Sequence, residues 1–230
     1  GELFRVRLVP VAEGLTNPRH VAFLPGGDLL IAELAGRMRL VHDGKLAPEP
    51  LAGWPAAGID ATSLQAVAVH PQFAANRFVY LYYVKSDADG RTTTALARAR
   101  LEGSELADVR EVFESDAWIQ GGPIAGRAVF GPDSNIYLTI NDHDKNNAID
   151  DPSIRIFAQH LDSDVGKVLR VRDGGTIPAD NPASIAGLAG TTTGANRAIW
   201  AAGVRNPFTF TFQPGTGVMH INDVGQNTWE

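Results

Sequence analysis

Cysteine is absent from this chain of 230 residues, so disulfides, thiol nucleophiles and Cys-ligated zinc are all excluded. No two histidines sit at zinc-ligand spacing. There is no basic run. The 20 Lys and Arg are outnumbered by 26 Asp and Glu, for a net charge of -6. Nucleic acid is therefore not an expected partner, because phosphate binding calls for a concentrated positive face. No apolar run approaches the roughly 20 residues that cross a bilayer as a helix. Helical periodicity is scarce as well; only "DVREVFES", from Asp108 to Ser115, has a short helical look.

What remains is strand. At 44% hydrophobic and 20% charged the chain reads as an ordinary globular protein, long enough for a sizeable core. Its apolar pattern has period two, in four units of strand, Pro-containing turn and strand, with the turns at Pro25, Pro71, Pro132 and Pro214. The segments "GRMRLVHDG" and "TTTALARARL" supply further strands after the first two units. Self-similar units of about 40–50 residues with insertions predict a β-propeller, with the hairpins of a sandwich as the alternative. The longest irregular stretches are "NDHDKNNAIDDPSIRIFAQHLDS" and "GTIPADNPASIAGLAGTTTGANR". Long loops in compact domains are functional or disordered, so chemistry is sought there. The segment "INDVGQNTWE" follows the fourth unit with no closing blade, so residues 1–230 read as one propeller domain, incomplete at its C-terminal end.

Six motifs in order carry a resemblance: "GLTNPRHVAFLPGGDLLIAELAGRMRLVHDGK", "AVHPQFAANRFVYLYY", "AGRAVFGPDSNIYLTIND", "VGKVLRVRDGGTIPADNP", "GVRNPFTFTFQPGTG" and "INDVGQNTWE". Together they resemble the soluble glucose/sorbosone dehydrogenases, quinoproteins that use pyrroloquinoline quinone (PQQ). The resemblance implies an all-β, six-bladed propeller of which this chain covers roughly the first four blades. It also implies hydride transfer from an aldose or related polyol to PQQ, calcium, a small-molecule sugar substrate and a periplasmic or secreted location. A tricarboxylate quinone calls for cationic donors, and an alcohol oxidised by hydride loss calls for a general base.

By resemblance Arg205 and Asn206 of "GVRNP" contact the quinone, and the backbone carbonyls of Gly225 and Gln226 ligate calcium. Lys167 and Arg127 read as loop and blade braces. Several reactive positions depart from the family pattern. Pro123 stands where the catalytic histidine is expected, Gly122 replaces the acidic residue before it, Ala61 a sugar-contacting glutamine, and Val204 the histidine of "GHRNP". Proline has no proton-accepting side chain. His143, between Asp142 and Asp144, is the candidate substitute base, although its place in a polar loop also suits a solvated histidine. His160 is expected beside Phe157 and Leu161. His20 and His70 read as structural, and His220 as a strand residue. The Asn/Asp-rich loops offer hard oxygen donors without an EF-hand pattern. The enzyme reading stands beside two others: a catalytically degenerate propeller that binds carbohydrate or protein, and a calcium-dependent lactone or ester hydrolase.

Overall fold

A computed structural model of the chain describes residues 6–120, 125–143, 156–182 and 194–225. The predicted period-two segments fold as antiparallel meanders in which consecutive strands are neighbours. The first sheet holds β1 (Pro18–Phe23), β2 (Leu29–Glu33), β3 (Met38–His42) and β4 (Lys45–Leu46). The second holds β5 (Ala61–Val69), β6 (Phe78–Ser86), β7 (Arg91–Glu102) and β8 (Glu105–Glu114), with the short β9 (Ile119–Gln120) also on β7. The third is β10 (Ala128–Phe130), β11 (Ile136–Ile140), β12 (Lys167–Val171) and β13 (Ile199–Ala202). The fourth is the pair β14 (Pro207–Phe212) and β15 (Met219–Asp223).

Two details differ from the sequence reading. The turn opened by Pro71 contains a single helical turn, α1 (Phe73–Asn76), which seats Phe73 in the core. The segment read as helical is strand β8. Its apolar Val109, Val112 and Phe113 mimic a helical spacing because the ladder to β7 slips: Leu96 faces Phe113 while Ala97 faces Glu111. Val112 is the extra residue of a bulge, and a bulge breaks the two-residue alternation.

The sheets stack face to face in series. On β6, Val79, Leu81 and Tyr83 pack toward the first sheet with Leu30, Ala32 and Met38. The alternate residues Tyr80 and Tyr82 pack toward the third sheet with Ile136, Leu138 and Leu169. Tyr137, Val168 and Phe210 continue the series to the fourth sheet. A two-layer sandwich buries one face of each sheet; here the second sheet is buried on both, which is why β6 reads as a nearly unbroken apolar run. The first strands meet along one side of the stack, β1 on β5 and β5 on β10.

Tyrosine hydroxyls tie the sheets together. Tyr80 donates to the Asp173 carbonyl at 3.0 Å and Tyr82 to the Thr139 carbonyl at 2.9 Å. Gly126 lets that second contact close, since a Cβ there would lie 2.0 Å from the Thr139 oxygen and 3.1 Å from the Tyr82 ring.

Candidate functional site

In a meander the connections after the second and fourth strands leave from one end. At that end residues 115–120, 141–143, 156–166 and 203–206 come together. The Asp142 amide donates to the Arg205 carbonyl at 2.7 Å, and the Gly166 amide to the Asn141 carbonyl at 3.1 Å. Gly203 and Val204 both donate to the Gly166 carbonyl, at 3.1 and 3.2 Å. Gly166 has φ +67°, and a Cβ on it would meet Ala158 Cβ at 2.5 Å and the Val204 oxygen at 2.7 Å, so only glycine fits.

His143 is not the solvated loop histidine that its polar neighbours suggest. It is buried, with φ +60°, directly after the buried pair Asn141 and Asp142. Its Nε2 lies 3.2 Å from the Ala117 carbonyl. A carbonyl only accepts, so Nε2 carries the proton there and Nδ1 holds the lone pair in the neutral ring. Beside it is a cavity of about 410 Å³ lined by Asp116, Trp118, Ile119, Asp142, His143 and Phe157, among others.

Arg205 and Asn206 are clamped by one carboxylate: their amides donate to Asp223 at 3.0 and 2.7 Å. Arg205 Nη1 donates to the Val224 carbonyl at 2.8 Å and the Gly225 carbonyl at 3.1 Å. The carbonyl expected to ligate calcium therefore already takes a guanidinium. Asn206 Oδ1 is buried and has no hydrogen-bond partner among the described residues.

A buried polar network, not anticipated from the sequence, underlies the cavity. The Asp164 amide donates to Asp116 Oδ1 at 2.8 Å, and the Asp116 amide to Asp164 Oδ2 at 3.1 Å. Ser115 Oγ reaches Asp164 at 3.1 Å, and Asn196 Nδ2 bridges Asp116 at 2.5 Å and Asp164 at 3.2 Å. Burial, and then the neighbouring Asp116 carboxylate, push the Asp164 carboxyl up to about 7. Lys167 is buried below the same loops and donates to the carbonyls of Phe157, Ala158 and Val165 at 2.9, 3.0 and 2.6 Å. Burial lowers it to about 8, against the pull of Asp164, Asp116 and Asp162. The brace role expected of Lys167 is thus concrete: one ammonium closes three loop carbonyls. The sequence signal for the network was the pair "ESDAW" and "LDSDVGK", whose aspartates lie 48 residues apart.

The remaining expectations distribute as follows. His160 packs on Phe157 at 5.5 Å between ring centroids. His220 is exposed on β15. His70 lies among Phe78, Tyr80 and Phe130. His20 is held down to about 4 by burial and by Arg127. Ala61 opens β5. Gly122, Pro123, Asp144 and Gln226 lie outside the described residues. At the opposite end of the first sheet His42 Nδ1 meets Asp28 at 2.7 Å and Nε2 faces Asp43 at 3.6 Å, the group of three metal-capable side chains found among the described residues.

The family described as Glucose / Sorbosone dehydrogenase matches residues 15–230. An uncharacterized protein of Synechocystis is 39% identical over 188 residues, 77% of this chain and 45% of that one. The aldose sugar dehydrogenase YliI of Escherichia coli is 30% identical over 225 residues, 96% of this chain and 57% of that one. Among solved structures, the apo form of the soluble aldose sugar dehydrogenase of Escherichia coli matches with TM-score 0.75 at 30% identity, over 92% of this chain and 58% of that one. The PQQ-bound aldose sugar dehydrogenase of Streptomyces coelicolor matches with TM-score 0.74 at 24% identity, over 96% of this chain and 60% of that one, a likeness of fold. The chain spans about half the length of the curated relatives it matches.

Proposed function

This chain belongs to the glucose/sorbosone dehydrogenase family, and from that premise we propose that it is the part of a quinoprotein oxidoreductase that grips PQQ and takes the proton from an aldose or related polyol. Its four sheets are then the first four blades of a six-bladed propeller, with the site at the mouth of the ring. The observation that supports this most is the 2.7 Å bond from the Asp142 amide to the Arg205 carbonyl, which ties the strand end that carries His143 to the turn that carries Arg205 and Asn206, across two sheets.

The side chains suit the cofactor's chemistry. Arg205 offers a cation to a carboxylate or quinone oxygen, and Asn206 Oδ1, without a hydrogen-bond partner among the described residues, is an acceptor for a ring N–H. Calcium suits the site less simply, because an ion on the Gly225 and Gln226 carbonyls competes with Arg205 for the Gly225 oxygen. When bound, PQQ supplies a two-electron acceptor. In this reading His143 Nδ1 takes the proton of the substrate hydroxyl while Nε2 stays anchored on Ala117, and an aldose leaves as its lactone. The cavity walls of Trp118, Ile119 and Phe157 offer apolar surface and a ring for sugar stacking. A periplasmic location is part of the same proposal; no helix among the described residues is long and apolar enough to cross a membrane.

The test is sugar-dependent dye reduction by the full-length natural protein loaded with PQQ and calcium, compared with His143→Asn. A base contributes about 10²–10⁴-fold, and kcat should fall by that much while PQQ binding persists. Equal rates would remove His143 from the chemistry. Sugar binding without reduction in the wild type would favour the degenerate, carbohydrate-binding propeller.

A further inference from the structure

The first strands of the four sheets meet at a cluster that the quinone site does not use. Arg19 comes from β1, Gln65 from β5, Arg127 from the residue before β10, and Phe208 from β14. The Arg127 guanidinium is buried, and it donates at 3.2 Å to the carbonyls of Gln65, Gly126 and Arg19. Arg19 Nη2 donates to Gln65 Oε1 at 2.9 Å, and Arg19 Nε is buried without a hydrogen-bond partner among the described residues. Both guanidiniums lie near the Phe208 ring, at 5.5 Å for Arg19 and 5.0 Å for Arg127.

No carboxylate among the described residues forms an ion pair with either arginine. The other well-buried arginines behave differently: Arg39 has Glu33, and Arg170 has Asp133 and Asp180. A buried guanidinium held by neutral carbonyls and one ring, with a half-buried one beside it, is costly, since a buried charge needs a counter-charge. The neighbours respond to that potential. Arg127 is lowered by burial and then by Arg19, and His20 by burial and then by Arg127. In a chain of net charge -6 this local positive excess has no internal partner among the described residues.

We infer that Arg19 and Arg127 bind a small oxyanion or carboxylate where the four first strands meet. The guanidinium fork matches two oxygens of such a ligand, and Arg19 Nε has no partner among the described residues. The inference rests on Arg19 and Arg127 and not on the quinone reading, although Phe208 of the cluster donates its amide to the Asn206 carbonyl at 2.7 Å.

The test titrates sodium sulfate and, separately, sodium malonate into the protein at constant ionic strength while thermal unfolding is followed. Sulfate also stabilises proteins by exclusion from their surface, an effect that grows linearly and in every variant. A specific site gives instead a saturable rise of about 3–5 °C at low concentration. That rise should vanish in Arg19→Gln, which keeps the buried Arg127, and the His20 ring resonances should shift with the same midpoint. A response to sulfate alone makes the ligand an inorganic oxyanion, and a response to both includes carboxylates. An equal rise in Arg19→Gln, or no shift of His20 as the rise saturates, overturns the site.

Discussion

Replacing Asp164 with asparagine should make the protein more stable near neutral pH and less stable in acid. The folded carboxyl sits at about 7 against an ordinary 3.8, because burial and the Asp116 carboxylate disfavour its charge. Between those values the folded protein keeps a proton that the unfolded chain releases. Stability therefore falls as pH rises through this range and is lowest above 7. At about 1.4 kcal/mol per pH unit, the ionised form costs about 4 kcal/mol near pH 7.5. Asparagine cannot ionise, so this slope disappears. It also forfeits a hydrogen bond, because its NH2 faces the Asn196 donor at 3.2 Å, a loss of about 1 kcal/mol. Asp164→Asn should then gain about 3 kcal/mol near pH 7.5 but less than about 1 kcal/mol near pH 5, and should fall behind wild type only below about pH 4, read from urea unfolding midpoints. Both pH values lie below the point where Lys167 titrates. A variant that is less stable at pH 7.5 than at pH 5, relative to wild type, would mean the Asp164 charge is stabilising through Lys167, and the desolvation argument would fail.

Gly166→Ala should cost about 2 kcal/mol or more, because the added Cβ collides with Ala158 and the Val204 carbonyl at a positive φ; urea unfolding measures it. Lys167→Met keeps the volume but strands the Phe157, Ala158 and Val165 carbonyls, so a loss of about 3 kcal/mol is expected by the same assay. His42 should titrate above an ordinary histidine by NMR, since Asp28 holds its proton, and Asp28→Asn should return it toward the ordinary value. The stability this pair adds is present in acid and fades as pH rises through the folded His42 value.

The strands were legible because alternation records burial on each face, and the Pro-containing turns marked where one strand handed over to the next. The "DVREVFES" segment misled for a local reason: the bulge at Val112 imitates helical spacing, and only pairing with β7 reveals it. Arg205 and Asn206 were visible as a motif, yet what Arg205 donates to was not, since Val224 and Gly225 come to it through the fold of β15. The Asp116–Asp164–Asn196 network was illegible because its members are far apart in the chain and each looks like an ordinary loop residue. The arginines at the first-strand junction were hidden in the same way. Arg19 and Arg127 lie 108 residues apart, and a sequence does not say which cations lack a partner.

The quinone reading is tested most directly by titrating PQQ, with calcium present, into the full-length natural protein and into Arg205→Met while following tryptophan fluorescence. Saturable one-to-one quenching that weakens at least about tenfold without the guanidinium is the predicted result. No quenching, or the same affinity in both proteins, would contradict it.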